Sequence, residues 1–143
     1  MIYSSLKIKK DYIESDEFDT GKRNILNFGH CFGHAIESAT DFSISHGQAV
    51  VLGMILANKY AVKINLLSSE LEKFIREKIL SPVLISPIPA WSNSDIISAM
   101  RLDKKTDGKG LALVLLTNNY KMIKLTNLQE ADVLEFLKCQ KSK

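Results

Sequence analysis

Apolar residues fall into blocks along this chain, and the spacing within each block predicts its elements. Ile2, Leu6 and Ile13 punctuate an otherwise polar stretch over 2–14, which predicts a short helix, and the acidic, turn-prone run Ser15-Asp16-Glu17-Phe18-Asp19-Thr20-Gly21 ends it. From Asn24 to about Thr40, Ile25, Phe28, Phe32, Ala35, Ile36 and Ala39 recur at three- and four-residue intervals, the period of a helix with one buried face. Ser45-His46-Gly47-Gln48 has the form of a capping box, so a third helix opens there and runs to about Leu66. Its residues from Ala49 to Ala61 are apolar almost all round, which predicts burial on most sides and places it at the centre of the core.

Downstream the pattern changes twice. Ser68 to Leu80 reads as an amphipathic, more solvated helix, and Pro82, Pro87 and Pro89 then forbid regular helix as far as Trp91. Asn93 or Ser94 caps a further helix reaching Leu102. The apolar run Leu111 to Leu116 and the alternating Tyr120, Met122, Ile123 and Leu125 flank Asn118-Asn119 as the strands of a hairpin do. A last helix covers about Leu128 to Leu137. The expected fold class is mainly α, with a small β-hairpin near residues 111–125.

A length of 143 residues with 45% hydrophobic content fits one compact domain. The formal net charge of +3, with 24% charged residues, is ordinary for a soluble protein and gives no sign of a nucleic-acid partner. No apolar run approaches the ~20 residues of a membrane span, and the N-terminus lacks the apolar stretch of a signal peptide. The two cysteines, Cys31 and Cys139, lie at opposite ends of the chain without metal-type spacing, as in a reduced, cytoplasmic protein.

Candidate chemistry concentrates in one short window. All three histidines of the chain, His30, His34 and His46, fall within it. His30 and His34 are four apart on the predicted second helix and project from one face, while His46 opens the next helix and can fold back toward them. Imidazole nitrogens are common ligands of zinc and similar ions, although histidines four apart also serve as plain hydrogen-bonding groups. Gly29, Gly33, Gly47 and Gly53 sit among them in predicted helix, where each glycine costs roughly 1 kcal/mol relative to alanine. Close approach of another backbone or of a ligand offsets such a cost. Arg23, near a helix N-terminus where the dipole disfavours a cation, offers a rigid fork for an anion.

The segments Asp16-Glu17-Phe18-Asp19-Thr20-Gly21-Lys22-Arg23, Leu26-Asn27-Phe28-Gly29-His30-Cys31-Phe32-Gly33-His34-Ala35-Ile36-Glu37 and His46-Gly47-Gln48-Ala49-Val50 resemble the signature block of the 3-dehydroquinate synthase family of sugar-phosphate cyclases. Lys9, Gly53-Met54, and Asp103-Lys104-Lys105 followed by Gly108 and Leu113-Val114-Leu115-Leu116 extend the likeness from about Leu6 to Leu125. The resemblance implies a lyase of the shikimate pathway, serving aromatic amino acid biosynthesis. Such an enzyme uses NAD and a divalent metal, zinc or cobalt, to eliminate phosphate from a seven-carbon keto-acid phosphate and close the ring. It implies that His30 and His46 are metal ligands and that His34, Lys9 and Lys104 are catalytic, His34 and Lys104 at the phosphate. It implies that Arg23, Asn27, Asp19 and Lys105 hold substrate, with Lys9 also close to the substrate's carboxylate and hydroxyls. A homodimer is implied for the complete enzyme.

Three positions depart from the family pattern: Cys31 stands where threonine is usual, Gln48 where glutamate is usual, and Asp19 where glutamate is usual. The family's third metal ligand, a glutamate, comes from upstream of this segment. The glycine-rich loop that cradles a dinucleotide is also missing from these residues. Residues 1–143 are therefore expected to form the C-terminal metal- and substrate-binding domain, without the N-terminal NAD-binding domain and inactive alone. Two competing readings are a metal-dependent polyol or glycerol-phosphate dehydrogenase domain and a non-catalytic helical binding module.

Overall fold

The computed structural model describes residues 2–16, 22–85, 87–88, 90–107 and 111–140, and the side chains of Ile2, Ser5, Ser15, Lys22, Arg23 and residues 103–107 lie outside that description. Six α-helices and one hairpin follow in the order α1 (Ile2–Ser15), α2 (His30–Ala39), α3 (His46–Lys63), α4 (Ser69–Ile75), α5 (Asn93–Asp107), β1 (Leu111–Leu116), β2 (Met122–Leu128) and α6 (Glu130–Gln140). The mainly α architecture with its hairpin agrees with the periodicity of the sequence.

Helix α3 is the central rod. Ala49, Val50, Leu52, Gly53, Leu56, Ala57, Asn58, Tyr60 and Ala61 are all buried, as its nearly continuous apolar surface requires. Its broadest packing is against α2, which in turn lies on α5. Phe136 of α6 closes the core from the far side, its ring centroid 5.2 Å from Tyr60 in an edge-on contact and 6.4 Å from Phe32. Strand β1 is buried at nearly every position, whereas β2 keeps one face toward solvent, so the hairpin lies on the core as a lid. Its antiparallel register pairs Leu113 with Leu125 and Leu115 with Ile123, with an irregularity between Leu111 and Leu113. The Asn118 side chain accepts a hydrogen bond from the Ser68 N–H at 2.7 Å, and its own N–H donates to the Leu66 carbonyl, which fixes the hairpin turn to the end of α3.

Five expectations need correction. The helix expected over Asn24–Thr40 is two elements: a 3₁₀ helix, Lys22–Asn27, and α2, separated at Gly29, which adopts φ +80°. A left-handed residue cannot continue a right-handed helix, and a periodic apolar pattern does not register such a break. Ser45 does cap α3 by position, but its side chain makes no capping bond and Gln48 does not reach back. The Gln48 amide instead donates to the Val83 carbonyl at 2.9 Å and accepts from the Ile85 N–H at 2.7 Å, tying the proline-rich segment to the first turn of α3. The Ser68–Leu80 helix changes to π-helical geometry over Arg76–Leu80 before a short 3₁₀ turn at Ser81–Val83, and α5 runs past Leu102 to Asp107. Gly47 has nothing within 4 Å of where a Cβ would stand, so it does not share the close approach made at Gly29, Gly33 and Gly53.

One polar residue in the core is out of keeping with its surroundings. Asn58 is 1% exposed, and neither its amide nitrogen nor its oxygen has a hydrogen-bond partner among the described residues. A buried polar group left unpaired costs about 1–3 kcal/mol. Asn58→Leu, which keeps the branched outline of the side chain without its polar atoms, is therefore expected to raise the thermal unfolding midpoint by about 3 °C or more, measured by circular dichroism. An unchanged or lower midpoint would mean that the amide is satisfied by ordered water.

Candidate metal centre

Local structure explains how three histidines come together. Gly29 turns the chain out of the 3₁₀ helix, so that His30 becomes the first residue of α2 and His34 follows one turn later. At the other end of α2 the Thr40 hydroxyl donates to the Ile36 carbonyl at 2.8 Å, and Asp41 and Phe42 adopt φ of 49° and 57° to reverse the chain. His46 then opens α3 beside the start of α2.

Glycines set how close the two helices come. A Cβ on Gly53 would stand 2.0 Å from the Gly29 carbonyl oxygen and 2.7 Å from the Gly33 nitrogen, while one on Gly29 would meet the Met54 backbone nitrogen at 2.7 Å. The glycine signal in the sequence is thus accounted for by backbone contact between α2 and α3. That contact in turn sets the spacing of the histidines.

The three imidazoles form a nearly equilateral triangle. Ring centroids are 5.6 Å apart for His30 and His34, 5.5 Å for His30 and His46, and 5.6 Å for His34 and His46, the last pair inclined at 29°. His30 places Nδ1 3.3 Å from the Phe28 carbonyl oxygen, and His46 places Nδ1 3.0 Å from Oε2 of Glu37. In each ring a proton on Nδ1 satisfies that contact and leaves the Nε2 lone pair available. Donor atoms of His34, Glu37 and His46 lie within 4.8 Å of one another. A set of imidazole nitrogens with one carboxylate oxygen suits zinc or cobalt, so the residues present fit a divalent transition metal.

Burial holds the pKa of His30 below its ordinary value, with its histidine neighbours adding to the effect and the Phe28 carbonyl opposing it. His30 is accordingly neutral at pH 7, the form that binds a metal. Because the folded state takes up this proton less readily than the unfolded chain, the contribution of His30 to stability is present above pH 6.5 and is lost as pH falls from there through the lowered folded value. The metal-free chain is expected to lose more unfolding free energy between pH 7 and pH 5 than His30→Gln does, as measured by urea titration. Equal losses would show that His30 titrates alike in both states.

Glu37 carries no role in the sequence reading, although it was in view. It stands three residues after His34 and seven after His30, spacings that share a helix face, and its side chain is only 13% exposed. Among the other candidates, Lys9 is exposed on α1 and Asn27 is exposed at the end of the 3₁₀ helix. Asp19 and the side chains of Arg23, Lys104 and Lys105 lie outside the described residues, although Lys104 and Lys105 are carried on the last turn of α5. A cleft of about 290 Å³ opens between α2 and α5, lined by Cys31, His34 and Ser38 on one side and Ala99, Met100 and Leu102 on the other. His34 thus borders both the triangle and the cleft.

Residues 1–106 match the family model described as 3-dehydroquinate synthase C-terminal. The chain belongs to the 3-dehydroquinate synthase C-terminal domain family. The 3-dehydroquinate synthase of Dehalococcoides mccartyi strain 195 is 39% identical over 143 residues, covering 96% of this chain and 38% of the relative. That of Rippkaea orientalis is 39% identical over 126 residues, covering 86% and 34%. The chain therefore spans less than two fifths of the length of these synthases.

Solved sugar-phosphate cyclases carry the same fold. The 2-epi-5-epi-valiolone synthase of Streptomyces hygroscopicus, with NAD⁺ and Zn²⁺ bound, superposes with a TM-score of 0.74 at 18% identity, covering 90% of this chain and 36% of that one. A 2-deoxy-scyllo-inosose synthase, complexed with carbaglucose-6-phosphate, NAD⁺ and Co²⁺, gives 0.62 at 26% identity, covering 86% and 35%. Among the described residues no helix is long and apolar enough to cross a membrane.

Proposed function

We propose that this chain is the metal- and substrate-facing domain of a 3-dehydroquinate synthase, completed by an NAD-binding half supplied from outside these residues. The full reaction would convert 3-deoxy-D-arabino-heptulosonate 7-phosphate to 3-dehydroquinate in the cytoplasm, the complete enzyme being a homodimer. The observation that carries the reading is the convergence of His30 and His46, 5.5 Å apart at their ring centroids, each with Nδ1 against an acceptor.

His30 and His46 would hold the cation through Nε2, with a carboxylate from the other half as third ligand. A zinc or cobalt ion held there would supply Lewis acidity for the oxidation of a substrate hydroxyl. His34, at the edge of the cleft, would hydrogen-bond the phosphate as it leaves, and Lys104 would neutralise the same group. Lys9, Arg23, Asn27, Asp19 and Lys105 would fix the carboxylate and hydroxyls of the substrate, so that the reacting carbon is held against the nicotinamide.

The test is reconstitution. This chain, joined to or mixed with the cofactor-binding half of a relative and loaded with NAD and Zn²⁺, is expected to release phosphate from the seven-carbon keto-acid phosphate. It is expected to release none without that half. Release from a six-carbon sugar phosphate alone would assign a sibling cyclase. NADH accumulation from a polyol, with no phosphate released, would overturn the reading in favour of a dehydrogenase.

A further inference from the structure

Glu37 is placed where its charge has a helical cost. It lies in the last turn of α2, where the partial negative charge of the helix end disfavours a carboxylate, and no basic residue of that turn offsets it. Its side chain is 13% exposed, and His46 is its one recorded side-chain partner among the described residues. The bond spans the reversal between α2 and α3 and reaches the first residue of α3, which has no side-chain cap to steady it. His46 itself is 54% exposed, so little else restrains its ring.

We propose that Glu37 is a positioning residue for the metal, acting through His46; the inference rests on His46 being a ligand. Its carboxylate accepts the Nδ1 proton of His46, which selects the tautomer with a bare Nε2, fixes the ring angle and makes the imidazole a stronger donor. The two ligands are then unequal. His30 leans on a neutral backbone carbonyl at 3.3 Å, His46 on a charged, largely shielded carboxylate at 3.0 Å. Most of the tuning available within this chain therefore passes through His46. The carboxylate also lies close enough to His34 and His46 to bind a cation directly, and the two roles predict different data.

The experiment is titration of the full chain with Co²⁺, followed by visible absorption and calorimetry, for wild type and for Glu37→Gln, Glu37→Ala, His34→Ala and His46→Ala. Outer carboxylates of this kind contribute about 10–100-fold in metal affinity. Glu37→Ala should weaken Co²⁺ within that range. Glu37→Gln, which keeps a hydrogen-bonding side chain without the charge, should recover part of the loss and shift the absorption band at unchanged intensity. His34→Ala should bind within about threefold of wild type. Thermal unfolding of metal-free Glu37→Gln should match wild type, which separates a metal role from a structural one. Should Glu37→Ala misfold, the band position and affinity of Glu37→Gln decide. Glu37 variants that bind as wild type overturn the proposal. So does a band intensity reporting a changed coordination number together with an equal loss in His34→Ala, since that identifies Glu37 as a ligand. His46→Ala binding as wild type would sink the ligand assignment itself.

Discussion

Gly53→Ala is expected to destabilise the protein by about 3 kcal/mol, at the upper end of what overpacking costs, and to disorganise the histidine triangle together with the core. The added methyl carbon would stand 2.0 Å from the Gly29 carbonyl oxygen, 2.7 Å from the Gly33 nitrogen and 3.0 Å from the Gly29 carbonyl carbon. All three are backbone atoms, so no rotamer change relieves the clash. Either α2 must shift away from α3 or Gly29 must leave its left-handed conformation, and both movements displace His30, which follows Gly29 directly. With domain stabilities of about 5–15 kcal/mol, the loss takes a large share of the total. Urea titration monitored by circular dichroism measures it. Gly47→Ala is the control: it lies in the first turn of the same helix with open space around it, and alanine there should be neutral or slightly stabilising. Equal midpoints for the two variants would show that the crossing is not set by glycine.

The contrast between these glycines shows where sequence reading succeeds and where it stops. Periodicity located α2 to α6 and the hairpin because each buries one face, or nearly all faces in α3, and burial leaves its period in the sequence. It ran through Gly29 without a break because a single left-handed residue changes the direction of the chain while leaving the apolar spacing intact. Four glycines in predicted helix looked equivalent. Only coordinates separate Gly29, Gly33 and Gly53, which touch the opposite backbone, from Gly47, which touches nothing within 4 Å.

Gln48 teaches a related lesson. Its spacing from Ser45 fitted a capping box, yet its amide is taken by Val83 and Ile85, 35 and 37 residues away, and long-range partners have no local signature. Within the candidate site, the grouping of His30, His34 and His46 was legible from their spacing alone. Glu37 was equally visible at three residues from His34, but its significance depends on a turn that brings α3 back beside α2, and that turn is made by Asp41 and Phe42 at positive φ. Aspartate favours such a conformation only weakly and phenylalanine does not favour it at all, so the pair does not announce the turn.

His46→Ala is expected to abolish zinc uptake in the reconstituted enzyme and with it all phosphate release. The argument is one of donor count. On the proposed assignment, His30 and His46 would make three protein ligands with a carboxylate from the cofactor-binding half, the usual number for a catalytic zinc that keeps a position open to substrate. Removing His46 leaves His30 and one carboxylate, and water fills the vacated position. Metal content measured by atomic emission after dialysis should fall from about one zinc per chain to background, while the circular dichroism spectrum stays unchanged, because His46 is an exposed side chain at a helix start and adds little to the core. If zinc remains bound at full occupancy in His46→Ala, the ring serves only the turn between the helices. The cation would then have to be assigned to His30 and His34.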